Sequence, residues 1–200
     1  KEVDELLASP HYGERWGRHW LDTARYSDTR GLAVDQGNSL FEDYRYAYAW
    51  TYRNYVIDAI NADKPYDQFI VEQLAADRLP DLKKEDPRLA ALGFITVGKR
   101  FDNKDDTIDE RIDTTTKAFL GLTVACARCH DHKFDPIPAA DYYSLHGIFA
   151  STIEPLQRPQ ISSPDAAAQR ADFEKRLKAL QEESAAGFYE YIREMRARYN

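Results

Sequence analysis

Cysteine and methionine are scarce, with two cysteines and one methionine in 200 residues. Two thiols exclude a disulfide-stapled framework, and a chain of this length buries a sizeable core without one. There is no second cysteine pair from which to build the two spaced pairs of an ordinary structural zinc site. Also missing are an apolar run near the length of a membrane span, a signal-peptide pattern, an internal repeat and a low-complexity tract. Basic residues do not dominate: 27 Lys and Arg stand against 34 Asp and Glu, a formal net charge of -7, which argues against nucleic acid as a partner. The chain begins at Lys1 rather than Met, so it reads as a mature fragment or an excised domain whose targeting segment lies upstream.

Both cysteines fall in one stretch, Gly121-Leu-Thr-Val-Ala-Cys126-Ala-Arg-Cys129-His130-Asp131-His132-Lys-Phe-Asp135-Pro136-Ile137. Its core is C-x-x-C-H, the pattern of a c-type haem attachment site. Two thiols three residues apart can each add to one vinyl group of a porphyrin, and the imidazole directly after the second thiol can reach the iron. One helical turn presents all three, because i, i+3 and i+4 share a face. Cys126 and Cys129 are therefore the expected thioether anchors of one haem c, with His130 as proximal iron ligand. A tetrahedral zinc site from Cys126, Cys129, His130 and His132 is a rival, cramped because four ligands fall within seven residues. A dithiol redox centre is another, although no β-α-β pattern surrounds the motif. Asp131, His132 and Asp135 are candidates to orient His130 or the propionates, or are simply solvated loop.

The chain supplies 13 Tyr, 9 Phe and 3 Trp, which suits a core around a large flat cofactor and equally suits ordinary helix contacts. Apolar spacing predicts helices throughout. Val3 to Ala8 form a short turn ended by Ser9-Pro10. Trp16, Trp20 and Ala24 then define one face of a helix, with His19 beside it. Ser27 to Glu42 lacks a period and reads as a long loop able to edge a pocket. A helix follows from about Asp43 to Ala62, with Tyr44, Tyr48, Tyr52, Val56 and Ile60 spaced by four; another starts at Pro65 and runs to Asp77. Arg88 to Val97 is a shorter apolar segment, helical or extended. Thr107 to Thr123 is predicted as a helix with Ile108, Ile112, Phe119 and Leu120 inward, running directly into Cys126 and delivering the motif to the core. Ala139 to Ser151 is predicted as a helix buried on more than one side. Proline-rich Glu154 to Pro164 marks a boundary, and Asp165 to Tyr199 is a long helix-forming run, expected as a hairpin or an arm.

Three blocks resemble a known family, the uncharacterised bacterial domain found beside planctomycete-type cytochrome c domains in large exported proteins. They are Arg15-Trp-Gly-Arg-His-Trp-Leu-Asp22 with Arg25-Tyr26, Asn61-Ala-Asp-Lys-Pro-Tyr-Asp-Gln-Phe69, and Gly121 to Ile137 with Asp141-Tyr-Tyr143. The resemblance spans roughly residues 1 to 155 and implies a C-x-x-C-H motif in a helical domain of a multi-domain exported protein. It supplies no substrate.

The expected protein is all-α: a haem-binding helical domain over 1-155, then a proline-rich linker and a long helix over 156-200. Thioether attachment occurs outside the cytoplasm, so the location is periplasmic or otherwise extracytoplasmic. The first functional expectation is a c-type cytochrome domain for electron transfer, its partner a redox protein or other domains of the same parent chain, with no transmembrane span. Two rivals are a haem enzyme with an open sixth coordination site, using Asp22, Arg25 or His132 for acid-base work, and a haem-braced structural module. Among His11, His19, His132, His146 and Met195, His19 is the expected sixth iron ligand: it is distant in sequence and stands between two tryptophans. His132 is too near His130 to reach the opposite ring face.

Overall fold

Glycines, which give no periodicity signal, decide how the first two long helices meet. The structure is a computed structural model that describes residues 1–29, 46–161 and 166–199. Helix α1 (Glu2–Leu7) stops before Ser9-Pro10, and α2 (His11–Thr23) starts after the proline. A Cβ at Gly13 would stand 2.4 Å from the Ile57 carbonyl oxygen of α3 (Ala49–Asn61), so the missing side chain lets the two backbones close up. The Gly13 N–H donates to Asn61 Oδ1 at 2.7 Å, and Asn61 Nδ2 donates to the Pro10 carbonyl at 2.9 Å. The inward face of α2 is therefore Gly13, Gly17, Trp20, Leu21 and Ala24. This corrects the expected stripe: Trp20 and Ala24 turn inward, whereas Trp16 is 53% exposed.

The first core cluster joins α2 and α3 to α4 (Tyr66–Ala75) and to a 3-10 segment, Pro87–Ile95. Asp86 accepts a hydrogen bond from the Arg88 N–H at 3.0 Å, and Pro87 occupies the first helical position. The ambiguous apolar segment is thus started as a helix. Trp20 meets the edge of Phe69 at 4.9 Å and lies 5.6 Å from Phe119. A polar chain crosses this core: Trp20 Nε1–H donates to Tyr52 Oη at 3.0 Å, and Tyr52 donates to Gln73 Oε1 at 2.6 Å, while the buried Gln73 Nε2 has no hydrogen-bond partner. The expected start of α3 at Asp43, with Tyr44, lies outside the described residues, as does the Ser27 to Glu42 loop beyond Thr29. Within the described part, α3 opens at Ala49 and Tyr48 is exposed.

The second cluster is built by α5 (Lys104–Leu120), a 3-10 turn at Val124–Arg128 and α6 (Ala139–Ala150). Ile108, Ile112, Val124, Ala127, Tyr142 and Phe149 are its buried members, and Ile95 touches both clusters. Asn103 Oδ1 caps α5 by accepting from the Asp105 N–H at 2.9 Å. Gly121, at φ 68°, ends the helix, with Leu122 N–H bonding the Thr116 carbonyl at 3.3 Å and Gly121 N–H the Lys117 carbonyl at 3.2 Å. Helix α5 thus stops short of the motif, and Leu120 is exposed rather than inward. Helix α6 buries one face only, through Tyr142 and Phe149, while Tyr143 and Ile148 are exposed. Arg100 and Arg111 both pair with Glu154, which ties the segment after α6 to α5.

The chain divides into two compact units, Lys1–Pro159 and Gln160–Asn200. The second is essentially α7 (Ala166–Tyr199), a continuous helix of 34 residues with exposed Phe173, Leu177, Leu180 and Tyr191. It does not fold back as a hairpin, because Gly187 weakens the helix without breaking its hydrogen-bonded path. Among the described residues the structure is helical without an extended strand, and no helix is long and apolar enough to cross a membrane.

Candidate functional site

The C-x-x-C-H residues sit on their own short turn. In a 3-10 turn, side chains at i and i+3 eclipse one another. Val124 and Ala127 share the inward side and are buried in the second core cluster. Cys126 lies within this turn and Cys129 caps its end, and both thiols are free and exposed. The expectation that α5 carries the motif into the core is therefore corrected. Gly121 ends the helix, the turn's apolar residues take the core, and the reactive groups are left on the surface.

Two histidines two residues apart have opposite environments. His130 is exposed, and its Nδ1 lies 2.7 Å from the backbone carbonyl of Asp131. A carbonyl can only accept, so Nδ1 carries the hydrogen and the Nε2 lone pair is left open toward solvent. His132 has a side chain only 6% exposed. Its Nδ1 accepts from the backbone N–H groups of Phe134 at 3.3 Å and Asp135 at 2.9 Å, and its Nε2 is 3.0 Å from Thr123 Oγ1. The Asp135 carboxylate also lies 3.2 Å from Nδ1, an approach that would suit a hydrogen there. The two backbone donors aimed at that atom need its lone pair instead, which puts the hydrogen on Nε2, facing Thr123.

The turn is clamped from two helices. Between the cysteines, Arg128 Nη1 reaches Asp106 Oδ1 on α5 at 3.0 Å, and the hydrogen bond to that carboxylate raises the Arg128 pKa. Tyr143 Oη, on α6, donates to the Arg128 carbonyl at 3.0 Å. Tyr142 donates to Asp109 Oδ1 at 2.7 Å; burial, then this bond, pushes its phenol up. Asp131 does not orient His130 with its carboxylate. Its Oδ1 accepts from the Ala139 N–H at 2.9 Å and so caps the start of α6.

The remaining sequence candidates lie on or next to other elements. His19 lies on the exposed side of α2, its ring 5.5 Å from that of Trp16. His146 Nε2 is 3.3 Å from Asp105 Oδ1 and packs beside Tyr142 and Tyr143. His11 pairs with Glu14 at 2.7 Å. Met195 belongs to α7 in the second unit. Arg25 is committed to Glu110 and to the Phe94 carbonyl, and Asp22 is exposed on α2.

Two exposed thiols and one imidazole with an uncommitted Nε2 are the donor set a haem c would use, for two vinyl additions and one axial nitrogen. Zinc would also need His132, whose ring nitrogens are already engaged. Among the described residues no three His, Cys, Asp or Glu side chains form a group able to hold a metal ion. Sequence reasoning missed Thr123, Arg128 and Tyr143. Their partners are separated by nine to 22 residues and carry no local pattern.

No curated protein and no solved structure matches the chain significantly. The family model described as PSCyt2, Protein of unknown function (DUF1549), matches residues 1–154. With both core clusters and the whole cysteine turn inside that match, the chain belongs to the DUF1549 family.

Proposed function

We propose that this protein is a c-type cytochrome domain that carries one covalent haem for electron transfer in an extracytoplasmic, multi-domain setting. Cys126 and Cys129 hold the group through thioethers, and His130 supplies the proximal nitrogen. The observation that carries the reading is the contact of His130 Nδ1 with the Asp131 carbonyl at 2.7 Å. With Nδ1–H given to the Asp131 carbonyl, the Nε2 lone pair is left free on the residue that directly follows the second of two exposed cysteines. An imidazole that donates from its far nitrogen is a more basic ligand held in a set orientation. When bound, the haem would supply one-electron chemistry, with its potential set by axial ligands and solvent exposure. The surface position of the thiols favours an exposed haem edge, which suits exchange with a partner protein or a neighbouring domain.

The readings divide at the opposite axial position. In the first, His19 fills it. In the second, that position is open and the domain is a haem enzyme; the placement of His19 against Trp16, on the outer side of α2, favours this rival.

The test is production of the full chain with a haem-attachment system, followed by denaturation and acid-organic extraction. Colour that stays with the polypeptide and a mass gain of one haem, lost together in a Cys126→Ser, Cys129→Ser double variant, is the expected result. Colourless protein with two titratable thiols, or stoichiometric zinc, sinks the proposal.

A further inference from the structure

We infer that His132 is a positioning residue: its imidazole closes the loop that presents Cys126, Cys129 and His130 by tying the loop's entry to its exit. At the entry, Nε2 bonds Thr123 Oγ1 at 3.0 Å, on the residue just before the cysteine turn. At the exit, Nδ1 accepts from the N–H groups of Phe134 and Asp135, and the backbone N–H of His132 donates to the Ile137 carbonyl at 2.9 Å. One residue thus makes four bonds that span the loop 123–137. Its side chain is almost buried, whereas the thiols and His130 around it face solvent.

The closure reaches His130 through one peptide unit. The carbonyl that takes the His130 Nδ1–H belongs to Asp131, immediately before His132, so fixing His132 fixes that acceptor. The other flank of the same acceptor is held by the Asp131 side chain on the Ala139 N–H. A loop without this closure would leave the cysteines in place on their buried Val124 and Ala127 anchors, yet release the carbonyl that sets the His130 tautomer. The role at the iron rests on the haem reading; the loop closure does not.

The experiment uses the full chain made without haem attachment, followed by amide hydrogen exchange and nitrogen NMR of labelled histidines. Wild-type His132 should carry its hydrogen on Nε2 and His130 on Nδ1. His132→Ala should speed exchange at the Phe134 and Asp135 amides by about fivefold per hydrogen bond lost and mix the His130 tautomers, with α5 and α6 still protected. His132→Asn places an amide oxygen where Nδ1 stood. It should restore protection at Phe134 and Asp135 and the His130 tautomer, while Thr123→Val should loosen the entry side alone. If His132→Ala does not fold, Thr123→Val against wild type reads the entry side, and the wild-type tautomers of His132 and His130 still decide the inference. A wild-type His132 with its hydrogen on Nδ1, or a His130 tautomer unmoved in His132→Ala, overturns the inference. Wild type that takes no covalent haem in an attachment host defeats the haem reading and leaves the exchange and tautomer results standing.

Discussion

Arg128, one of the two residues between the cysteines, is joined to Asp106 on α5, Nη1 to Oδ1 at 3.0 Å, and Asp109 Oδ2 stands 3.7 Å from the same nitrogen. Asp109 also receives the Tyr142 hydroxyl. Through these two carboxylates the cysteine turn, α5 and α6 are held as one piece.

The Arg128 side chain is about a third exposed, so solvent screens the pair. Arg128→Ala should therefore cost only about 0.5–1 kcal/mol in urea unfolding. Its sharper effect should be local, with the thiols reacting faster with an aromatic disulfide reagent. Unchanged thiol kinetics would show that the clamp does not restrain the turn.

The sixth ligand can be read from spectra of the haem-loaded protein. With His19 on the iron, the wild type should be low-spin and slow to bind carbon monoxide, and His19→Ala should become high-spin and bind it readily. A wild type already high-spin, with His19→Ala superimposable on it, assigns the open site and moves the function toward the enzyme reading.

Gly93 is pressed against Tyr52: an added Cβ would lie 2.4 Å from the Tyr52 Cβ and 2.5 Å from its Cγ. Tyr52 is buried and held at its hydroxyl by Trp20 and Gln73, so it cannot swing away. Gly93→Ala should destabilise the domain by about 1–3 kcal/mol through overpacking. Gly187→Ala, which meets nothing within 4 Å on α7, should be neutral or slightly stabilising. Denaturant midpoints for the two variants should move apart; equal midpoints would contradict the packing argument.

Acid stability should depend on Asp86. Hydrogen bonds from the Arg88 guanidinium, ahead of those from backbone N–H groups, hold its carboxyl well below the usual carboxylate range. A carboxyl depressed in the fold takes its proton more readily in the unfolded chain. Its stabilisation is therefore complete above the unfolded value of about 4 and fades as pH falls through that value toward the folded one. Asp86→Asn should lower stability at neutral pH and flatten the fall in stability below pH 4, measured by denaturant unfolding across pH. An acid limb as steep as wild type would assign that limb to other carboxylates.

The helical class, the order of helices and the cysteine motif were legible in the sequence because each is local. Apolar residues at helical spacing, Ser9-Pro10, Pro65 and the Cys126-x-x-Cys129-His130 pattern need no distant partner to be recognised. What the tertiary structure decided lies in residues whose role is to leave space or to reach across it. Gly13 and Gly17 rotated the buried face of α2 away from Trp16, because a missing side chain adds nothing to apolar periodicity yet allows the closest helix contact. Gly121 in the left-handed region cut α5 from the motif, and the resulting 3-10 turn spent its apolar residues on the core, which put both thiols at the surface. The contrast between His130 and His132 was equally out of reach. Both are imidazoles in one short polar run, and only the folded loop sets one against a carbonyl and the other between Thr123 and two backbone N–H groups.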